Sequence, residues 1–214
     1  KKVYLGKGVL KAVANVNDAP SVSIALTDYY TNEQVAVNLH GTGISISDVD
    51  STNITLTLTG PGANSQLTAS VGTTGVSIFS GNSSPTLVLT GTLTQINDFL
   101  AGNNGGTLTY RMAGDTPIAT ATLTITASDG ALTGSDTASV HITAINDAPV
   151  NTVPGAQVAT EDTALVFSSG NGNQIQVNDV DVASGNLEIT LSVTNGTLTL
   201  AGITGLSFTT GDGT

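Results

Sequence analysis

Cysteine and tryptophan are absent from this 214-residue chain. Without cysteine there is no disulfide and no thiolate-held metal. Basic side chains are almost as scarce. Lys1, Lys2, Lys7, Lys11 and Arg111 are the only five cations, against sixteen carboxylates, for a formal net charge of −11. From residue 12 onward one arginine faces all sixteen carboxylates, a balance of 1 − 16 = −15. A nucleic-acid surface needs clustered Lys and Arg to displace counterions, so nucleic acid is excluded as a partner. An anionic membrane surface repels such a chain. No apolar run approaches the length of a membrane span, so membrane insertion of this segment is not expected. Lysine is absent between residues 12 and 214, which excludes Lys–Asn isopeptide staples there.

What is present is threonine, 35 residues of it, with 25 glycines. Hydrophobic residues make up 39% of the chain, more than an acidic disordered chain carries. They alternate with polar ones: Ala121-Thr-Leu123-Thr-Ile125-Thr-Ala127, Ala138-Ser-Val140-His-Ile142-Thr-Ala144, Ile54-Thr-Leu56-Thr-Leu58 and Leu187-Glu-Ile189-Thr-Leu191-Ser-Val193. A period of two puts one set of side chains on a buried face and the other in water. Threonine suits the wet face, being β-branched and polar. Turn clusters such as Gly60-Pro-Gly, Gly102-Asn-Asn-Gly-Gly106 and Gly170-Asn-Gly-Asn173 punctuate these runs. The pattern predicts an all-β fold, an antiparallel β-sandwich. One segment departs from it. Leu93-Thr-Gln-Ile96-Asn-Asp-Phe99-Leu100 has helical spacing, with Thr92 or Thr94 as N-cap and Gly102 as stop, and predicts one short helix crossing an end of the sandwich.

The chain repeats itself. Val16-Asn-Asp-Ala-Pro20 returns as Ile145-Asn-Asp-Ala-Pro149, an offset of 145 − 16 = 129. Thr31-Asn-Glu33 aligns with Ala159-Thr-Glu161, and Ser47-Asp-Val-Asp50 with Asn178-Asp-Val-Asp181. A fixed period of domain size implies tandem domains. The expected organisation has residues 1–18 as the last strand of a preceding repeat plus its linker. A complete repeat follows over 19–145, then a linker over 146–149 and the N-terminal half of a following repeat over 150–214. That half lacks counterparts of the helix and later strands. Either it is part of a longer chain, or another chain completes it.

Ala127-Ser-Asp-Gly130, a following alternating strand and Asn146-Asp-Ala-Pro149 together resemble the end of a cadherin domain. Asp48-Val-Asp50 and Asp179-Val-Asp181 resemble the cadherin Asp-x-Asp element, and Glu33 and Glu161 stand where those domains carry a Glu. The Val-Asn-Asp-Ala-Pro form, the longer repeat and the Leu-Thr-x-Ile-Asn helix are more similar to cadherin-like tandem repeats of large bacterial surface adhesins. The resemblance implies cadherin/Ig-like sandwich repeats in tandem with one short helix each. It also implies a cell-surface or secreted location.

The carboxylates can be placed without the family. If Asn17 and Asp18 enter at one end, Glu33 lies about 40 Å further on at extended spacing, at the other end. A return strand from Val35 to Ile46 then brings Asp48 and Asp50 back beside Asn17 and Asp18. The strand ending at Ala127 delivers Asp129 to the same place. Glu33 joins Asn146, Asp147, Asp179 and Asp181 at the opposite end. Carboxylates packed in this way repel unless a cation neutralises them. Hard oxygen donors without sulfur select Ca²⁺. The plain alternative is that Asn-Asp-Ala-Pro is only a turn.

Other chemistry is not legible. Asp48-Val-Asp50-Ser-Thr-Asn53 lacks the Gly and the Glu of an EF-hand. His40 and His141 are single residues and read as surface or structural. No catalytic triad can be drawn, and no enzyme is expected. The leading expectation is a calcium-rigidified extender of a surface or secreted adhesin or fibre, with neighbouring repeats of its own chain as partners. The alternative is a binding module for surface glycans or for like repeats of other copies; the exposed-looking aromatic pair Tyr29-Tyr30 would stack on a sugar ring there, although its leading reading is strand-end packing. A further variant has Lys1–Ala14 inserting as a strand into another copy, giving a filament.

Overall fold

The structure is a computed structural model that describes residues 16–211. Residues 1–15 of the expected last strand and linker of a preceding repeat, and with them the segment Lys1–Ala14, lie outside the described residues. The chain divides after Asp181 into two compact units.

In the first unit the alternating runs become strands. They are β1 (Ser21–Ile24), β2 (Asp28–Asn32), β3 (Val37–Asn38), β4 (Ile44–Ser47), β5 (Asn53–Thr59), β6 (Ser65–Ser70), β7 (Ser77–Ser80) and β8 (Thr86–Thr92). After the helix α1 (Leu93–Leu100) come β9 (Thr107–Met112), β10 (Thr120–Ser128), β11 (Thr133–Thr143), β12 (Val150–Thr152) and β13 (Gln176–Asn178). A six-stranded sheet runs β2-β11-β10-β5-β8-β7, and a three-stranded sheet runs β3-β9-β6. The fold is all-β and sandwich-like, with one α-helix among the described residues.

Register explains the core. Leu56 sits between Leu89 and Ala127, and Leu58 between Leu87 and Ile125, all fully buried. Their neighbours Thr55, Thr57 and Thr59 lie across from Ser128, Thr126 and Thr124 on the opposite face. From the second sheet Leu67, Leu108 and Tyr110 close the interior, and the Tyr110 hydroxyl is paired with Ser65 at 3.0 Å.

Helix α1 begins where the sequence places it. Thr92 is its N-cap, and Thr92 and Gln95 form a reciprocal capping box. Ile96, Phe99 and Leu100 face the core, fully buried. Asn97 does not cap anything. Its side chain accepts from the Ile46 N–H and donates to the Ile46 carbonyl, both at 2.9 Å, and so ties the helix to β4. Both backbone groups belong to a buried residue. Asn97→Ala orphans them and is expected to lower stability by about 2 kcal/mol in urea unfolding.

The return strand expected from Val35 to Ile46 is broken in two, β3 and β4. Gly41 and Gly43 between them adopt φ of +71° and +86°. A Cβ on Gly43 would come within 2.6 Å of the Ala25 Cβ. The entering strand bends at that same point. The Ala25 N–H donates to the Gly43 carbonyl at 3.2 Å, so the two kinks pack on each other. The entering chain thereby leaves its partner β4 as β1 and joins β11 as β2, in the parallel sense.

Beyond β11, β12 pairs antiparallel with β13, Val150 against Asn178. In β1 and β4 the equivalent pair is Ser21 against Ser47. The offsets are 150 − 21 = 129 and 178 − 47 = 131.

In the second unit the expected strand Leu187–Val193 does not form. Ile189, Leu191 and Val193 are each about half exposed. The matching strand β5 is held between β8 and β10. No strand that could flank Leu187–Val193 is present among the described residues of this unit, and alternation alone cannot pair a backbone.

Candidate metal centres

Strand direction fixes where the carboxylates go. β10 and β11 are antiparallel, with Ser128 facing Thr133, so Asp129 sits at the turn where β11 begins. β11 spans eleven residues, about 36 Å at extended spacing. At its far end Ile145, Asn146 and Asp147 follow.

At the Asp129 end, the Asn17 side-chain amide donates to Asp129 Oδ2 at 2.7 Å. The Asp18 N–H donates to Asp50 Oδ2 at 3.1 Å. The N–H groups of Asp50 and Ser51 both donate to Asp48 Oδ1, at 3.0 and 2.7 Å. Asn17, Asp18, Asp48, Asp50 and Asp129 thus stand together, carried by three separate stretches of chain. The N–H groups of Leu132 and Ala131 and the Asn17 amide hold the Asp129 carboxyl below its usual range. Asp48 Oδ2 is buried with no partner.

Gly134 lets the entering chain reach this cluster. A Cβ there would lie 1.9 Å from the Pro20 carbonyl oxygen. Gly134→Ala is expected to push residues 17–20 off the cluster and to cost about 1–3 kcal/mol, read as a lowered urea midpoint.

At the far end the same bonds recur. The Asp147 N–H donates to Asp181 Oδ2 at 2.5 Å, and the Asp181 N–H to Asp179 Oδ1 at 2.9 Å. The Asn146 amide donates to the Asp147 carbonyl at 2.8 Å, as Asn17 does to Asp18 at 3.3 Å. Glu33, only 5% exposed, enters from the end of β2 and accepts from the Ile145 N–H through Oε1 at 2.7 Å. Glu33 Oε2 and Asp147 Oδ2 are buried and unpartnered. Glu33, Asn146, Asp147, Asp179 and Asp181 therefore share one junction.

Asp115 belongs there too and was not anticipated. It accepts from the Gln34 side-chain amide. Desolvation, then repulsion from Asp115, Asp181, Glu33 and Asp179, pushes the Asp147 carboxyl above its usual range. One sequence signal was available: Asp115 lies in the loop before β10, and β10 must start where β11 ends. Glu161 is exposed in the structure. His40 is taken up by the Leu108 backbone N–H, 3.0 Å from its Nδ1.

No family model matches the chain, and no curated protein gives a significant match.

Among the described residues, no three His, Asp or Glu side chains stand as a ready-made metal-holding set. At both junctions carboxylate oxygens accept from backbone N–H groups. The donor set nevertheless fits a hard cation. Each junction offers carboxylate, Asn and backbone carbonyl oxygens, the mixture that Ca²⁺ accepts at six to eight positions. Each also has a buried carboxylate oxygen with no donor: Asp48 Oδ2 at one, Glu33 Oε2 and Asp147 Oδ2 at the other. A buried anionic oxygen left in this way is costly unless a cation meets it.

Proposed function

We propose that this chain is a stretch of calcium-stiffened sandwich repeats that act as an extender of a cell-surface or secreted adhesin or fibre. The observation that carries this reading is the recurrence of one hydrogen-bond pattern at two carboxylate-rich junctions, 129–131 residues apart in sequence. In this reading the repeat runs over 19–145. Residues 146–149 are the linker, and a following copy begins at 150. The resemblance to cadherin-like repeats of bacterial adhesins points the same way.

The ion would be held at one junction by Asn17, Asp18, Asp48, Asp50 and Asp129. At the other the ligands would be Glu33, Asn146, Asp147, Asp179 and Asp181, with Asp115 beside them. Calcium supplies charge neutralisation there and cross-links three stretches of chain. Millimolar extracellular Ca²⁺ suits such modules, whose affinities lie at about 0.1–1 mM. The acidic, cysteine-free composition keeps repeats apart and soluble.

Small-angle X-ray scattering of the chain in Ca²⁺ and in EDTA tests the stiffening. A changed radius of gyration and a broader distance distribution in EDTA are expected. Superimposable curves would sink the proposal.

A further inference from the structure

Tyr29-Tyr30 is the aromatic pair expected either to pack at a strand end or to stack on a sugar, and the structure separates the two residues. Tyr29 points inward, 3% exposed, with its hydroxyl paired to Thr42 at 2.7 Å. Tyr30 points outward, 74% exposed.

Tyr30 is held in place. Its ring stacks on the His141 imidazole, centroids 4.8 Å apart and planes 22° from parallel. Both nitrogens of that imidazole are engaged: Nε2 with Asp28 Oδ1 at 3.0 Å, and Nδ1 with Thr120 Oγ1 at 3.3 Å. The parallel pairing of β2 with β11 sets Tyr30 directly against His141. One ring face is thus backed, and the high exposure leaves the other to solvent.

The surroundings are polar in an ordered way. Asp28 and Asn32 flank Tyr30 at i−2 and i+2, on the same face of the strand and each about 6.6 Å away. β2 is also an edge strand of its sheet, and an open groove of about 720 Å³ runs beside it. Leu26 and Val35 form its apolar walls, and Asn38 adds an amide.

We propose that this groove binds a neutral oligosaccharide, with one pyranose ring seated on the free face of Tyr30 and its hydroxyls bonded by Asp28 and Asn32. A sugar ring presents an apolar C–H face to an aromatic and hydroxyls around its rim. A backed aromatic with an acceptor on one side and an amide on the other matches both features. The Asp28 carboxylate, kept below its usual range first by the His141 hydrogen bond, remains a charged acceptor and disfavours acidic sugars. Neither Asp28, Tyr30 nor Asn32 is a proposed calcium ligand, although Asn32 adjoins Glu33 at the far junction.

The test is an NMR titration of the chain, in calcium-containing buffer, with maltotriose, cellotriose and mannotriose. Tri-galacturonate is the acidic control. At least one neutral trisaccharide is expected to saturate and to shift the amides of β2. Tyr30→Ala weakens that binding about tenfold or more, while Tyr30→Phe, which keeps the ring, stays within about threefold. Because Tyr30 is exposed, both variants are expected to fold, and their spectra report it. Three results would overturn the proposal: no saturation by any neutral probe, Tyr30→Ala binding as well as the parent, or tri-galacturonate binding as tightly as the neutral sugars.

Discussion

Chelating calcium is expected to lower the melting temperature of this protein. An ion that binds only the folded state stabilises it by RT ln(1 + [L]/Kd). With a Kd of about 0.1–1 mM and about 10 mM Ca²⁺, each junction contributes about 1.4–2.7 kcal/mol. Two junctions in one cooperative unit then add about 4 kcal/mol, or about 8–16 °C at this chain length. Mg²⁺ at the same concentration is expected to give much less, since it demands a tight octahedron and sheds water reluctantly. The measurement is a pair of calorimetric scans, in Ca²⁺ and in EDTA. Coincident melts would remove calcium from the account.

Asp147→Asn has effects of opposite sign with and without the ion. The native carboxyl is desolvated and faces Asp115, Asp181, Glu33 and Asp179. In EDTA its charge is a burden on the folded state, and the amide removes it, so the variant melts at or above the parent. In Ca²⁺ that same charge is expected to help hold the ion, so the variant melts below the parent.

The pH dependence has the same origin. The folded-state pKa of Asp147 lies above its ordinary 3.8. Protonation therefore favours the folded state. This contribution is fully present below about 3.8 and is lost as the pH rises through the raised value. Asp129 behaves oppositely, because donors depress its pKa. Its contribution is present above 3.8 and is lost as the pH falls through the lowered value. In EDTA, Asp147→Asn is therefore expected to remove the loss of stability on the alkaline side of the carboxylate range and to leave the acid-side loss intact. Urea midpoints across pH 3–7 separate the two limbs. Identical profiles for parent and variant would refute this assignment of Asp147.

The strands of the first unit were legible because burial on one face forces a period of two, as in β5, β10 and β11. The helix was legible because Thr92 and Gln95 form a local cap and Ile96, Phe99 and Leu100 share one face. The carboxylate junctions were legible because antiparallel strands alternate between two ends. Counting reversals from Asp18 to Asp50 and Asp129 needs no side-chain detail. Features set by distant packing were not legible. The break between β3 and β4 depends on Gly43 meeting Ala25. The Tyr30–His141 stack depends on a parallel pairing across more than a hundred residues. Asp115 belongs to no repeated motif, and only the place of its loop before β10 pointed to the junction. Leu187–Val193 carries the strand pattern in full, yet pattern specifies a face and not a partner.

The central claim is that the two carboxylate junctions bind calcium, and titration calorimetry with Ca²⁺ tests it most directly. The chain, Asp48→Asn and Asp147→Asn are compared. Each variant removes one charge while keeping an oxygen at the same place. Saturable binding by the parent at about 0.1–1 mM is expected and, in each variant, a weakening of about tenfold or more confined to part of the isotherm. Absence of saturable binding by the parent, or isotherms that the two substitutions leave unchanged, would contradict it.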